Sequence, residues 1–493
     1  MRNCYHGYLE RNEAAVAFAQ APSADYDAPP PKFSAPELPG AARATMAAHT
    51  VRQLLLAWGL DAHNAGTAAW NPLGEFIEPG SRVTLKPNWV LHKNEANLGL
   101  DCLFTHTSVI EAVLEYVALA RPSSIVIGDA PIQKCSLDLL LEEAGVNAMV
   151  ERFRSRGIPL DIRDFRRTIM MGDRLGSARS EETRGLEHYV LFDLGGESLL
   201  EPIASDYQKF RVTMYNPHLL QRTHAIGRHQ YLIAREVIET DTVINLPKLK
   251  CHCKAGVTGA LKNLIGINGN KEFLPHHRKG GEGSGGDCYE GRSMMKDFAE
   301  SLADWANTQP TGAVQATLDR LSDICVRVAT RVEHADHNLE GAWYGNDTIW
   351  RTCLDLQRLL HYGKADATLA PDRQRQVITI TDAIIGGDRE GPLAPAPVRS
   401  GFLTGGANTA AVEWVNTLLM GLDPQRIPLT AHAFDVFSYP LTGFAPEEIQ
   451  VRRIEGVGPV SEAAGLGAVR FHPSRGWIGH CELDASPAHS FSE

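Results

Sequence analysis

Ser124-Ile125-Val126-Ile127-Gly128-Asp129 and Val377-Ile378-Thr379-Ile380-Thr381-Asp382 are two largely apolar runs that each stop at an aspartate. Continuous rather than alternating apolar character marks a strand covered on both faces, the situation of a parallel sheet. Ser81 to Leu85 is a third strand and runs into the polar turn Lys86-Pro87-Asn88. Helical periodicity over Ser108 to Ala120 and Leu137 to Ala144 alternates with these strands, so this part of the chain reads β-α-β-α. Further strands are expected at Pro159 to Phe165, Tyr189 to Leu194 and Thr242 to Leu246. The expected fold is α/β: a mainly parallel sheet with flanking helices, a Gly-rich loop and a helical insertion.

Around this core the texture changes several times. Residues 1–75 read as an N-terminal arm and helix, with Pro, Ala and Ser dominating Ala21 to Gly40 and a helical pattern over Ala41 to Leu60. Residues 76–290 are the first part of the core, 291–370 a helical insertion, 371–445 the second part of the core and 446–493 an irregular C-terminal tail. Gly280 to Gly286 holds five glycines and no apolar side chain, which predicts a flexible loop able to act as a lid. In the insertion Leu318, Leu321, Cys325, Val328 and Val332 form an apolar stripe, suited to core packing or to a homodimer surface.

Composition narrows the function classes. The chain is 43% hydrophobic and 22% charged, enough to build a core. A formal net charge of -11 supplies no general field for nucleic acid or an anionic membrane, and aromatics are not interleaved with the lysine-rich section, so no nucleic-acid or membrane partner is expected. With neither a secretory apolar core nor a spanning apolar stretch, the expected location is cytoplasmic. Nine scattered cysteines suggest reduced thiols. Cys251 and Cys253 bracket His252 but lack the second ligand pair of a structural zinc module.

The chemistry concentrates beyond the strand ends, where open α/β sheets bind ligands. Lys248, Lys250, Lys254 and Lys262 lie within a short, glycine-punctuated path, and the helical pattern Ala260-Leu261-Lys262-Asn263-Leu264 could aim unpaired N–H groups at an anion. Lys248, Lys250 and Lys262 are expected to converge on a phosphate- or carboxylate-sized pocket, with Lys86, Asn88 and Asn263 as further substrate contacts. His252, His276 and Asp382 are the catalytic candidates. Asp129, His252, His277 and Asp382 form a candidate ligand set for a divalent metal ion, with Asp129 and Asp382 expected in one shared site. No Walker phosphate loop or dinucleotide-binding glycine fingerprint is present.

Taken together, Val83-Thr84-Leu85-Lys86-Pro87-Asn88, Ile125-Val126-Ile127-Gly128-Asp129, Leu246-Pro247-Lys248-Leu249-Lys250-Cys251-His252 and Gly259-Ala260-Leu261-Lys262-Asn263-Leu264-Ile265-Gly266 resemble the DUF362 family of uncharacterised proteins. Ile380-Thr381-Asp382-Ala383-Ile384 and Glu390-Gly391-Pro392 add to the resemblance, which runs over roughly residues 80 to 440. It implies an α/β scaffold with a polar site and no defined substrate class. Some similar proteins carry ferredoxin-like cysteine runs. This chain has none, so no ferredoxin-type cluster is expected. The functional expectation is a small-molecule enzyme acting on an anionic metabolite, with metal assistance an option. The alternative is a noncatalytic metabolite- or metal-binding accessory protein in a biosynthetic pathway. Transfer, hydrolysis, elimination and oxidation are all compatible with these residues.

Overall fold

The computed structural model describes residues 13–30, 32–38, 43–171, 179–309, 312–332, 339–467 and 469–483. Cys4, the start of the N-terminal arm and the end of the C-terminal tail lie outside the described residues. Twelve strands form the main sheet: β1 (Ala15–Gln20), β2 (Arg82–Pro87), β3 (Ser124–Asp129), β4 (Leu160–Asp164), β5 (Thr242–Leu246), β6 (Lys248–His252), β7 (Gly256–Thr258), β8 (Gln376–Glu390), β9 (Ala394–Val398), β10 (Phe402–Gly406), β11 (Gln450–Arg453) and β12 (Gly456–Pro459). Their order is β12-β11-β1-β10-β8-β5-β2-β3-β4, and the run from β8 to β4 is parallel throughout.

The helices that bear on the site and the sheet are α1 (Met46–Trp58), α2 (Thr107–Leu119), α3 (Leu137–Glu143), α4 (Val146–Ser155), α5 (Ala260–Asn263), α6 (Met294–Thr308), α7 (Ala313–Val332), α8 (Ile349–Tyr362) and α9 (Thr409–Leu419). Successive strand residues face opposite ways, and here both faces are covered. Ile244 packs with α1 and α2 residues such as Leu54 and Val113, whereas its neighbour Val243 packs with Leu356 and Leu360 of α8. That double covering is why the parallel strands read as unbroken apolar runs.

Three parts of the expected organisation change. The N-terminal arm supplies β1, which lies between β10 and β11. The tail supplies β11 and β12. Within the expected insertion only α6 and α7 stand apart, sharing a small core of Ala299, Leu302, Ala306, Leu318 and Cys325, while α8 is buried in the main body. Leu321 and Val332 of the predicted stripe are exposed, because the inward face of α7 runs through Leu318, Ser322, Cys325 and Ala329. Tyr189–Asp193 joins a separate three-stranded sheet rather than the main one.

The run Val377 to Thr381 does not end at Asp382. It continues to Glu390, because beyond Asp382 the strand gains β6 and β9 as partners. Among the described residues no helix is long and apolar enough to cross a membrane.

Phe18 of β1 is buried, with its ring 5.7 Å from that of Phe402 in β10. Phe18→Ala is expected to lower the free energy of urea unfolding by about 3 kcal/mol. An unchanged unfolding midpoint would mean that β1 is not part of the cooperative sheet.

Candidate functional site

The parallel strand ends bring the first group together. Lys86, at the end of β2, pairs with Asp129 at the end of β3 at 2.8 Å, and both side chains are almost fully enclosed. Lys86 Nζ also donates to Pro87 O at 2.7 Å and to Asn263 Oδ1 at 3.3 Å, so its three N–H groups have three acceptors. Asp129 Oδ2 accepts from Trp89 N at 2.7 Å. Burial pushes the Lys86 ammonium below its ordinary value and the Asp129 carboxyl above it, and each charge pulls the other back.

Asn263 ties this pair to α5. Its amide donates to Lys86 O at 3.0 Å and Asn245 Oδ1 at 2.8 Å, and its Oδ1 also accepts from Asn88 Nδ2 at 3.1 Å. Gly266 lets the backbone pass directly over the ion pair, since a Cβ there would stand 2.0 Å from Asp129 Oδ1. The family-like segments around Lys86, Asp129 and Asn263 thus meet in one hydrogen-bonded knot.

The second group forms where Pro247 breaks the strand. Proline has no N–H for the ladder, and after it β6 leaves β2 to follow the outer half of β8, placing Lys248 opposite Asp382. Lys248 Nζ reaches Asp382 Oδ2 at 2.5 Å, Tyr26 OH at 2.7 Å and Ile385 O at 3.2 Å. Asp382 accepts in addition from His106 N at 2.9 Å and Tyr26 OH at 2.8 Å, and the rings of Tyr26 and His106 stack 3.8 Å apart.

Asp129 and Asp382 therefore share a sheet edge without sharing a site. Strands β2 and β5 separate theirs, so three spacings of roughly 4.8 Å put them about 14 Å apart. Each is occupied by its own lysine.

The third group is cationic. Lys250 and Lys262 are buried, and Lys254 and Lys271 are partly exposed; none has a carboxylate in ion-pair range among the described residues. Lys250 donates to the carbonyls of Leu103 and Pro392, Lys254 to Thr213 Oγ1 at 2.9 Å and Lys271 to Ala130 O at 3.2 Å. Lys262 makes no hydrogen bond among the described residues, although its ammonium feels both Lys254 and, from the opposite sign, Asp129. Burial pushes Lys262 below its ordinary value, Lys250 down to about 7 and Lys271 down to about 8.

Three histidines adjoin these lysines. Burial, reinforced by neighbouring lysine charge, holds His252, His276 and His277 well below the ordinary histidine value, so all three are neutral at pH 7. His252 Nδ1 accepts from Lys254 N at 3.0 Å and Ala255 N at 3.2 Å, which puts its proton on Nε2. His276 is the reverse: Nδ1 donates to Leu274 O at 2.6 Å, leaving Nε2 as a lone-pair acceptor.

The N–H groups opening α5 are not offered to an external anion. Glu413 Oε2 accepts from Ala260 N at 2.5 Å, and the same carboxylate takes Leu261 N. Burial pushes the Glu413 carboxyl up to about 8 against the pull of those donors.

The expected substrate set thus divides. Lys250 and Lys262 stay with the cationic group, whereas Lys86 and Lys248 have no donor left, and Asn88 and Asn263 act within the Lys86 knot. Of the catalytic set, His252 and His276 come together and Asp382 does not. The set Asp129, His252, His277 and Asp382 is not gathered into a chelating cluster among the described residues. Lys271, Tyr26, His106 and Glu413 escape sequence reasoning. Lys271 lies inside the polar stretch already singled out; Tyr26 and Glu413 arrive from distant segments with no local signal.

Asp129→Asn would leave the Lys86 ammonium buried without a counter-charge, and is expected to destabilise the fold by about 3–5 kcal/mol in urea unfolding. A loss below about 1 kcal/mol would show that the pair does not anchor the site.

Residues 197–417 match the family described as "Domain of unknown function (DUF362)". That match takes in β5, β6, α5, the whole of β8 and most of α9 but leaves Lys86 and Asp129 outside it. The thylakoid-associated protein sll1697 of Synechocystis sp. is 27% identical over 233 residues, covering 47% of this chain and 51% of the relative. The chain spans about half the length of that relative. A crystal structure of a Thermotoga maritima protein covers 69% of this chain and 54% of its own, at 11% identity and a TM-score of 0.29. The matched residues 197–417, which hold Lys250, Lys262 and the three histidines, are where the chain is similar to the DUF362 family.

Proposed function

We propose that this chain is a small-molecule enzyme that binds a phosphate- or carboxylate-bearing metabolite among Lys250, Lys254, Lys262 and Lys271. The observation that carries the reading is a donor count. An ammonium has three N–H groups; Lys86 and Lys248 use all of theirs on protein acceptors, whereas Lys262 uses none among the described residues. A buried, unpaired ammonium is costly unless something anionic completes it. Holding Lys262 beside Lys250, Lys254 and Lys271 in a protein of net charge -11 supports a negatively charged ligand.

In this reading the lysines hold the charged oxygens and stabilise negative charge that develops during reaction. His276 Nε2 takes a proton from the substrate, and His252 Nε2–H donates to an oxygen of it. Both roles follow from the tautomers their backbone partners impose. The accessory-protein alternative shares the binding pocket and differs in having no turnover. The cytoplasmic location remains part of the proposal.

Sulfate is a suitable probe because its charge is constant across the working range. Lys262→Met is expected to weaken sulfate binding at least tenfold in calorimetry while leaving the thermal midpoint unchanged or raised, since it removes an unpaired buried charge. Wild-type affinity in that variant would end the pocket reading. Retained binding without turnover across a panel of phosphorylated and carboxylated metabolites would favour the accessory role.

Binding should also depend on pH in one direction. An anion favours protonated lysines, so above the free-protein values of about 7 for Lys250 and about 8 for Lys271 binding must take up protons. Sulfate affinity is expected to fall as pH rises through that range, by up to about tenfold per unit for each lysine involved. An affinity flat from pH 6.5 to 9 (a window of roughly a unit either side of those values) would show that these lysines do not contact the anion.

A further inference from the structure

A second cluster lies next to the cationic group, and none of the preceding chemistry uses it. His277, Cys288 and Glu300 come from three separate segments: a short strand paired with Phe210–Arg211, the turn after the Gly-rich segment, and α6. They are 4%, 0% and 7% exposed. One donor atom from each, an imidazole nitrogen, a thiol sulfur and a carboxylate oxygen, lies within 4.8 Å of the other two.

The imidazole supplies an independent indication. Among the described residues His277 makes no side-chain hydrogen bond, and its enclosed Nδ1 has no partner. Buried polar atoms are normally paired, and an imidazole left bare among a thiol and a carboxyl is an expensive way to fill space. The other two side chains are aimed by the backbone: Glu300 Oε2 accepts from Gly280 N at 2.8 Å and Cys288 Sγ from Glu340 N at 2.9 Å. Such outer hydrogen bonds are what orient metal ligands.

The Gly-rich segment acquires a purpose here that differs from the expected loose lid. It is a bonded turn, with Gly286 N donating to Gly281 O at 3.1 Å and Cys288 N to Gly280 O at 3.0 Å. A Cβ at Gly286 would stand 2.0 Å from Gly280 O, so glycine is what allows the chain to double back and present Cys288 to His277.

We propose that His277, Cys288 and Glu300 form a binding site for one zinc-class divalent cation. Nitrogen, sulfur and carboxylate oxygen are the zinc donor types, and three protein ligands leave one position for water or another small ligand. In a tetrahedral zinc shell donor atoms stand about 3.5 Å apart, so donors already within 4.8 Å of one another need at most a small inward shift to bind. The thiol proton leaves to solvent as the thiolate binds, and affinity rises with pH. This site is independent of the anion-pocket reading and stands or falls separately.

The test uses the full chain, stripped with a chelator and titrated anaerobically with Co(II), then with Zn(II) as competitor. One equivalent of Co(II) is expected, with a thiolate-to-cobalt charge-transfer absorption that Zn(II) abolishes. Cys288→Ser should remove that absorption. His277→Ala and Glu300→Gln should each weaken binding at least tenfold, with far-ultraviolet circular dichroism retained. Cys253→Ala, at a thiol outside the cluster, should change nothing. Absence of stoichiometric binding overturns the proposal, as does a charge-transfer band that persists in Cys288→Ser or disappears in Cys253→Ala. Should Cys288→Ser fail to fold, undiminished affinity in folded Glu300→Gln overturns it equally.

Discussion

The ion pair between Lys86 and Asp129 is the contact around which the candidate site is assembled. Two charges removed from water must be mutually paired and otherwise hydrogen-bonded, or the fold loses several kcal/mol. That demand draws in two strand ends, the Asn263 amide, the Pro87 carbonyl and the Gly266 backbone. Lys262 precedes Asn263 in α5. Once the asparagine is locked into the knot, the lysine is held on the same short turn, in reach of Lys254 and the histidines.

Lysine does two different jobs along this sheet edge. Lys86 and Lys248 act as internal counter-ions that fasten strands to each other and, through Tyr26, to the N-terminal segment. Among the described residues Lys250, Lys254, Lys262 and Lys271 each have fewer acceptors than N–H groups. The protein itself satisfies the N–H groups at the start of α5 with Glu413, which leaves the side-chain ammonium groups as the cationic donors of this region. The distinction is one of acceptors within reach, and the acceptors come from all over the chain.

The histidines show how backbone contacts choose chemistry. His252 and His276 share a neighbourhood and a neutral state, yet two N–H donors fix one tautomer and a carbonyl fixes the other. His277, next in sequence to His276, finds no such partner and faces a thiol and a carboxyl instead. Adjacent residues therefore belong to two chemically different clusters.

Much of the fold was legible in local pattern. Parallel strands buried on both faces leave continuous apolar runs, and Thr242 to Leu246 or Ala313 to Val332 can be bounded from sequence because strand and helix periodicities differ. The strands β1, β11 and β12 were not legible: β11 and β12 are only four residues long, and all three take their place from the neighbours they pair with. For the site, sequence located the polar stretch holding Lys250, Lys262, His252 and His276. Only tertiary structure decided that Lys248 is sealed by Asp382, Tyr26 and Ile385, that two strands divide Asp129 from Asp382, and that Cys288 and Glu300 stand beside His277. Composition and spacing reveal which groups are present, whereas whether a donor is free depends on acceptors that folding brings from hundreds of residues away.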